Sequence, residues 1–240
     1  MLNRTQFARL EDMKIVTKKI ISFRRNTSFF LKKKCLATGD FTIISDDCWA
    51  GTLYQDLKIP YKTPFIGLYI APKDYIKLIE NLTYYLSMPL EFIDAEKCQQ
   101  NFPVGCLGDI KIYFMHYFCQ EEVVAKWNRR LERVNWDNLF IKIDFGKWNY
   151  DNESIKIWNS IKDHTKIAFL KSPDPKIMDS IFVENWVFDG NAMYNISQEY
   201  FDVIHWLSKK KILCSNTYQL LYLILYDANL FIKLKALFKK

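Results

Sequence analysis

The chain has 240 residues, half of them hydrophobic, 16% aromatic and a quarter charged, with only 7 Gly and 7 Pro. That much apolar side chain can offset the entropy of ordering a chain of this length, which excludes a disordered or collagen-like protein. The formal net charge of +7 is unevenly distributed: residues 1–34 carry +8, residues 207–240 carry +6, and the stretch between them carries −7. An acidic body with two basic ends, lacking any helix-turn-helix, zinc-finger or RNP-type pattern, argues against a nucleic-acid partner.

In chain order, Phe7, Leu10, Met13, Val16, Ile20 and Phe23 recur at three- and four-residue steps, predicting an amphipathic helix with a basic opposite face. Asn26-Thr27-Ser28 caps a second short helix to about Leu36, and Gly39-Asp40 breaks it. Strands are expected at Phe41–Ile44, Phe65–Ile70, Ile110–Phe118, Leu139–Ile143, Lys166–Leu170 and Ile181–Phe188. Helices are expected over Pro72–Leu86, Glu121–Arg133, Ile155–Ile161 and Gln198–Lys210. This alternation predicts an α/β fold with an open, mostly parallel sheet and helices on both faces. The domain plan is a basic helical arm (1–38), an α/β core (39–211) and an apolar, basic C-terminal helical arm (212–240). Ligands in such folds gather beyond the carboxyl ends of strands, which points to the loops after Ile44, Phe118 and Ile143.

Six scattered cysteines without a C-x-x-C pair, and no secretory signal pattern, fit a reducing cytoplasm. No run of about 18 uncharged apolar residues exists to span a membrane. The basic ends offer a second expectation, peripheral contact with an anionic inner-membrane surface.

Two clusters carry chemistry. Ser45-Asp46-Asp47-Cys48-Trp49 follows a buried strand, where adjacent carboxylates suit either Mg²⁺ against a diphosphate or the capping of a turn and the next helix. Cys48 is a nucleophile only where a base or helix terminus stabilises its thiolate, and His116 is the candidate partner. His116-Tyr117 with Trp127, Asn128, Arg129, Arg130 and Arg133 forms the second cluster. Guanidinium forks beside an indole suit phosphate or carboxylate with a stacked base or sugar; pairing with Glu122 and Glu132 is the structural alternative. No Walker loop, G-x-G-x-x-G, G-x-S-x-G or zinc spacing appears.

The stretches FTIISDDCWAG, YQDLKIPYKTPFIGLYI, PVGCLGDIKIYFMHY and EEVVAKWNRRLERVNWDNLF, in that order across roughly residues 20–210, resemble the bacterial domain-of-unknown-function family nineteen-nineteen. Members are often labelled exopolysaccharide biosynthesis proteins. The resemblance implies an α/β fold and an association with surface-polysaccharide gene clusters, with no established reaction. The family loop is often Asn-Cys-Trp-Gly-Gly, matched here by Asp47, Cys48, Trp49, Ala50 and Gly51; Asp in place of Asn weakens the case for an obligatory metal ligand there. The expected function is a cytoplasmic transferase acting on an activated sugar or a sugar hydroxyl, its partner a sugar nucleotide or phosphorylated glycan intermediate. In that reading His116 is the base, Cys48 and Asp47 join it in catalysis, Asp46 and Trp49 line the donor site, Arg129, Arg130 and Arg133 hold phosphate, and Tyr117, Trp127 and Asn128 complete the substrate site. The alternative is an accessory protein docking on the membrane surface or on glycan-assembly enzymes.

Overall fold

A computed structural model describes residues 36, 38–93 and 100–214. Apart from Leu36, Thr38 and residues 212–214, the two predicted arms lie outside the described residues. The elements run β1 (Thr42–Ser45), α1 (Trp49–Asp56), β2 (Tyr69–Ile70), α2 (Pro72–Glu80), α3 (Leu82–Ser87), β3 (Glu91–Phe92), β4 (Val104–Leu107) and β5 (Ile110–Tyr113). They continue with α4 (Gln120–Leu131), a 3-10 turn (Trp136–Asn138), β6 (Leu139–Asp144), α5 (Asn152–Ser160), β7 (Thr165–Leu170), β8 (Ser180–Phe182), α6 (Gly190–Ser197) and α7 (Val203–Lys209).

The fold is α/β, built on a four-stranded sheet in the order β1-β6-β7-β8 whose neighbours are all parallel. A second four-stranded sheet, β2-β5-β4-β3, is antiparallel throughout. The expected strands around Ile70 and Ile112 therefore do not join the parallel sheet. They belong to a separate unit inserted between β1 and β6, and β4 joins β5 through the two-residue loop Gly108-Asp109, where Gly108 takes φ 58°.

Four expected elements are shorter than their apolar runs, the Ile110–Phe118 strand among them, which ends at Tyr113. Gly67 at φ 72° ends the Phe65–Ile70 run as a strand, leaving Tyr69–Ile70. The Pro72–Leu86 helix breaks at Asn81, whose φ −132° and ψ 49° are not helical. The run from Ile181 to Phe188 pairs only as far as Phe182 and then becomes a loop. Instead of one helix from Gln198, α6 and α7 are capped separately by Asp189 and Asp202, whose carboxylates accept the first free amides of each.

Both faces of the parallel sheet are covered, so its strands alternate between two cores. Ile44, Ile141, Ile143, Ala168 and Leu170 pack with α2, Trp158 of α5 and the antiparallel sheet. Phe41, Ile43, Phe140, Ile167 and Phe169 pack with α1, α6 and α7 around Trp49, Tyr194, Phe201 and Trp206. The crossover from β7 to β8, residues 171–179, contains no helix. It is held by α5 instead: Trp158 Nε1 donates to the Met178 carbonyl at 2.7 Å, and the Asn159 side chain bonds Lys176 O and Met178 N. Among the described residues, no helix is long and apolar enough to cross a membrane.

Candidate functional site: a buried carboxylate and lysine cluster

Strand β6 reads Leu-Phe-Ile-Lys-Ile-Asp and is buried along its whole length. Phe140, Lys142 and Asp144 alternate onto the face covered by α1, α6 and α7. A charge on that face has no water and must find partners in the protein. Lys142, fully buried, donates to Asp46 Oδ1 at 3.0 Å and to Asp47 Oδ2 at 2.8 Å. Lys147 also donates to Asp47 Oδ2, at 2.7 Å. Asp46 Oδ2 accepts the Asp144 amide at 2.8 Å, so the carboxyl ends of β1 and β6 are joined by side chains as well as by register.

Asp47 Oδ1 accepts the Trp49 amide at 2.9 Å and the Ser45 hydroxyl at 3.2 Å, at the start of α1. Burial opposes its charge, but the Lys142 and Lys147 ammoniums win and hold its carboxyl below the ordinary range. Burial also opposes the charge of Lys142, and there Asp46, Asp47 and Asp144 prevail and keep it protonated.

Asp144 is different. Its Oδ1 accepts Gly146 N at 2.9 Å and Trp186 Nε1 at 2.8 Å, while Oδ2 is buried and has no partner. Burial, opposed by Lys142 and aided by the Asp46 and Asp47 carboxylates, pushes its pKa up to about 6. Burial raises Asp46 too. Asp46 has donors on both oxygens, however, so the first proton this three-carboxylate, two-ammonium cluster takes up as pH falls toward 6 goes to Asp144 Oδ2.

Packing leaves little room for change around these groups. A Cβ on Gly190 would lie 2.8 Å from Asp47 Cγ and 2.9 Å from the Cys48 amide; one on Gly146 would lie 2.5 Å from Trp186 Nε1. We expect Gly190→Ala to displace Asp47 from its lysines and destabilise the fold by about 1–3 kcal/mol. Urea denaturation checks this, and an unchanged midpoint refutes it.

Beside the cluster lies a row of aromatic rings. Trp186 contacts Phe188 (centroids 6.3 Å), Phe188 contacts Trp148 (5.5 Å), Trp148 contacts Tyr69 (6.0 Å) and Tyr69 contacts Tyr113 (5.7 Å). The loop after β8 delivers Trp186 and Phe188, and the loop after β6 delivers Lys147 and Trp148.

Of the sequence-predicted site residues, Asp46, Asp47 and Cys48 are at this edge, in altered roles. The two carboxylates are committed to lysine ammoniums and not held free for Mg²⁺, and Asp47 is too acidic to serve as a base. The Cys48 thiol is pushed up, by burial first and then by Asp47, which disfavours the thiolate a nucleophile needs.

His116 is exposed, follows a strand of the antiparallel sheet, and has its side chain beside Gly67; no hydrogen bond or ion pair joins it to Cys48. Trp49 is fully buried with its Nε1 donating to Ser197 Oγ at 2.9 Å, a packing residue that ties α1 to α6. Trp127 is buried edge-on against Phe65 and Phe114.

The arginine cluster divides by helical phase. Arg130 is buried, donates to the Tyr117 hydroxyl at 2.6 Å and lies over the Tyr61 ring; Tyr117 in turn donates to Ile66 O. Asn128, Arg129 and Arg133 are exposed, whereas the Arg130 guanidinium is committed to Tyr117. Arg130→Ala should therefore cost about 1–3 kcal/mol through the orphaned Tyr117 network, and Arg129→Ala less than about 0.5 kcal/mol. Thermal denaturation of the two variants separates them; equal losses contradict this division.

A pocket of about 660 Å³ opens at the opposite, amino end of the sheet, between Leu139, Thr165, Lys166 and Lys210, remote in the fold from the cluster. Lys166 is engaged there with the Trp158 and Ile161 carbonyls at the end of α5.

Sequence reasoning missed Lys142, Asp144, Lys147, Trp148, Trp186 and Phe188. The available signal was LFIKID itself, since two charges inside an apolar strand of a parallel sheet must be paired.

Comparison with known proteins agrees with the four-stretch resemblance. The chain is 30% identical over 185 residues to an uncharacterized protein of Haemophilus influenzae, covering 76% of this chain and 85% of that one. Residues 18–208 match the family described as a domain of unknown function, DUF1919, and the chain belongs to that family.

Proposed function

We propose that the protein is a cytoplasmic transferase of surface-polysaccharide biosynthesis that moves a group from an activated sugar onto a sugar hydroxyl. The observation that carries this reading is Asp144: a buried carboxyl at the carboxyl end of a central parallel strand, one oxygen unpartnered, its pKa about 6. Near neutral pH such a group is mostly ionised yet close enough to the working pH to accept a proton.

In the reaction the acceptor hydroxyl gives its proton to Asp144 Oδ2, an oxygen buried in this structure that the acceptor must uncover on binding, as its own oxygen bonds to the donor carbon. The bond from that carbon to the leaving phosphate oxygen breaks, and the electron pair departs with the phosphate. Lys147 commits one N–H to Asp47, and its ammonium has two more to meet the departing charge. Trp186 and Gly146 fix the orientation of the Asp144 carboxyl. His116 has no part in this scheme.

A panel of uridine, guanosine and cytidine nucleotide sugars tests it, first by thermal shift and then by transfer to sugar acceptors. The expected result is transfer by wild type and His116→Ala and transfer about 10²–10⁴-fold slower by Asp144→Asn. Equal transfer by wild type and Asp144→Asn overturns the reading.

A further inference from the structure

We propose that the aromatic row leading to Asp144 is a platform for a saccharide chain of several pyranose rings, the acceptor in the transfer proposed above, on which this inference rests. Five rings follow one another in contact, from Tyr113 through Tyr69, Trp148 and Phe188 to Trp186. Their interplanar angles run from 39° to 87°, so neighbours meet tilted or edge to face and do not cover one another's faces. Phe188 is 56% and Trp148 37% exposed, an apolar surface left open beside a buried charge cluster.

The chemistry of the row matches that of a sugar ring. A pyranose presents a face of C–H bonds, weakly positive, with hydroxyls around its rim. Aromatic faces attract positive charge, and two of these rings already do so: Lys147 lies 5.3 Å from the Phe188 centroid and Lys171 5.3 Å from that of Trp186. The same ammoniums, with the hydroxyls of Tyr69 and Tyr113, supply the interspersed polar groups that a sugar's rim requires. Burial raises the Tyr69 hydroxyl, which keeps it a neutral donor.

Length and direction favour a chain. A nucleobase needs one ring or a pair, whereas this row has five, and its last member bonds the reacting carboxyl through Trp186 Nε1. A saccharide lying along the row would run toward Trp186, whose Nε1 bonds the Asp144 carboxyl, with the sugars behind it over Phe188, Trp148 and Tyr69 in turn.

The test is calorimetric titration of the full chain with glucose, with gluco-, galacto- and N-acetylglucosamine oligosaccharides of two, four and six sugars, and with uridine diphosphate. Trp148→Ala and Phe188→Ala change exposed side chains, and circular dichroism verifies that both variants fold. The expected result is affinity that rises with chain length in at least one series and falls roughly tenfold or more in each variant. The proposal is overturned if no series binds, if affinity is independent of length, if both variants bind like wild type, or if they lose only uridine diphosphate. Length-dependent binding by wild type together with undiminished transfer by Asp144→Asn would remove the catalytic role and leave the platform standing, so the two readings fail separately.

Discussion

Asparagine at position 144 is expected to lower turnover about 10²–10⁴-fold and, at the same time, to stabilise the fold above pH 6. The sign follows from the raised pKa. Below about pH 4 both folded and unfolded chains hold the Asp144 proton. Between about pH 4 and 6 the unfolded chain releases it first, so the native state loses stability as pH rises, by roughly 2–3 kcal/mol over the two units. Above pH 6 the folded protein carries a buried anion with one bare oxygen.

Asparagine keeps the acceptor for Gly146 and Trp186 and never ionises, so it removes that slope. Asp47 has the opposite linkage, contributing stability above the unfolded carboxylate pKa that is lost as pH falls, but it is present in both proteins and cancels in the comparison. Urea denaturation at pH 4, 5, 6 and 8 should show the two proteins alike at the acid end and Asp144→Asn ahead by about 2–3 kcal/mol at pH 8. Parallel profiles would show that Asp144 ionises normally.

Lys142→Met should produce the largest loss. The change removes a fully buried ammonium from between Asp46 and Asp47 without removing either carboxylate. Breaking a buried pair from one side costs about 3–5 kcal/mol, because the remaining charge is left in an apolar environment. Asp47 retains Lys147, whereas Asp46 keeps only the Asp144 amide and should take up a proton. The damage is therefore smaller at pH 5 than at pH 8. Adding Asp46→Asn to Lys142→Met should recover part of the loss, and a double-mutant cycle by chemical denaturation measures it. Strict additivity of the two changes would contradict the contacts described.

What could be read from the sequence follows the local character of each signal. Phe41–Ile44, Leu139–Ile143 and Lys166–Leu170 were recognisable because strands buried on both faces are continuous apolar runs. Their neighbours were not. Alternation of strands and helices carries no record of which strands pair, so the antiparallel insertion was folded into the parallel sheet in expectation. The Gly108-Asp109 loop between alternating residues was the clue to a hairpin.

At the site, Asp46 and Asp47 stood out as adjacent carboxylates after a strand. Lys142 and Asp144 did not, because the Asp46 and Asp47 carboxylates they meet lie almost 100 residues away and the Trp186 that bonds Asp144 lies 42 away. Trp127 and Arg130 looked available because sequence shows residue type and helical phase but not which side of α4 meets Phe65 and Tyr117. Arg129, one residue from Arg130, is on the solvent side.

That separation along the chain also governs how the cluster forms. Asp46 and Asp144 are 98 positions apart and Lys142 and Asp46 96, yet each pair is in direct contact. Nothing local assembles them. β1 must wait until the whole antiparallel unit and α4 have been formed, or at least set aside, before β6 can align beside it, which is a loop closure of high contact order. The carboxylates stay hydrated through the early stages of folding and lose water only when the parallel sheet closes. A fragment ending before β6 therefore contains Asp46 and Asp47 but no site, and amide exchange at Ser45, Lys142 and Asp144 should follow global unfolding and not local fraying.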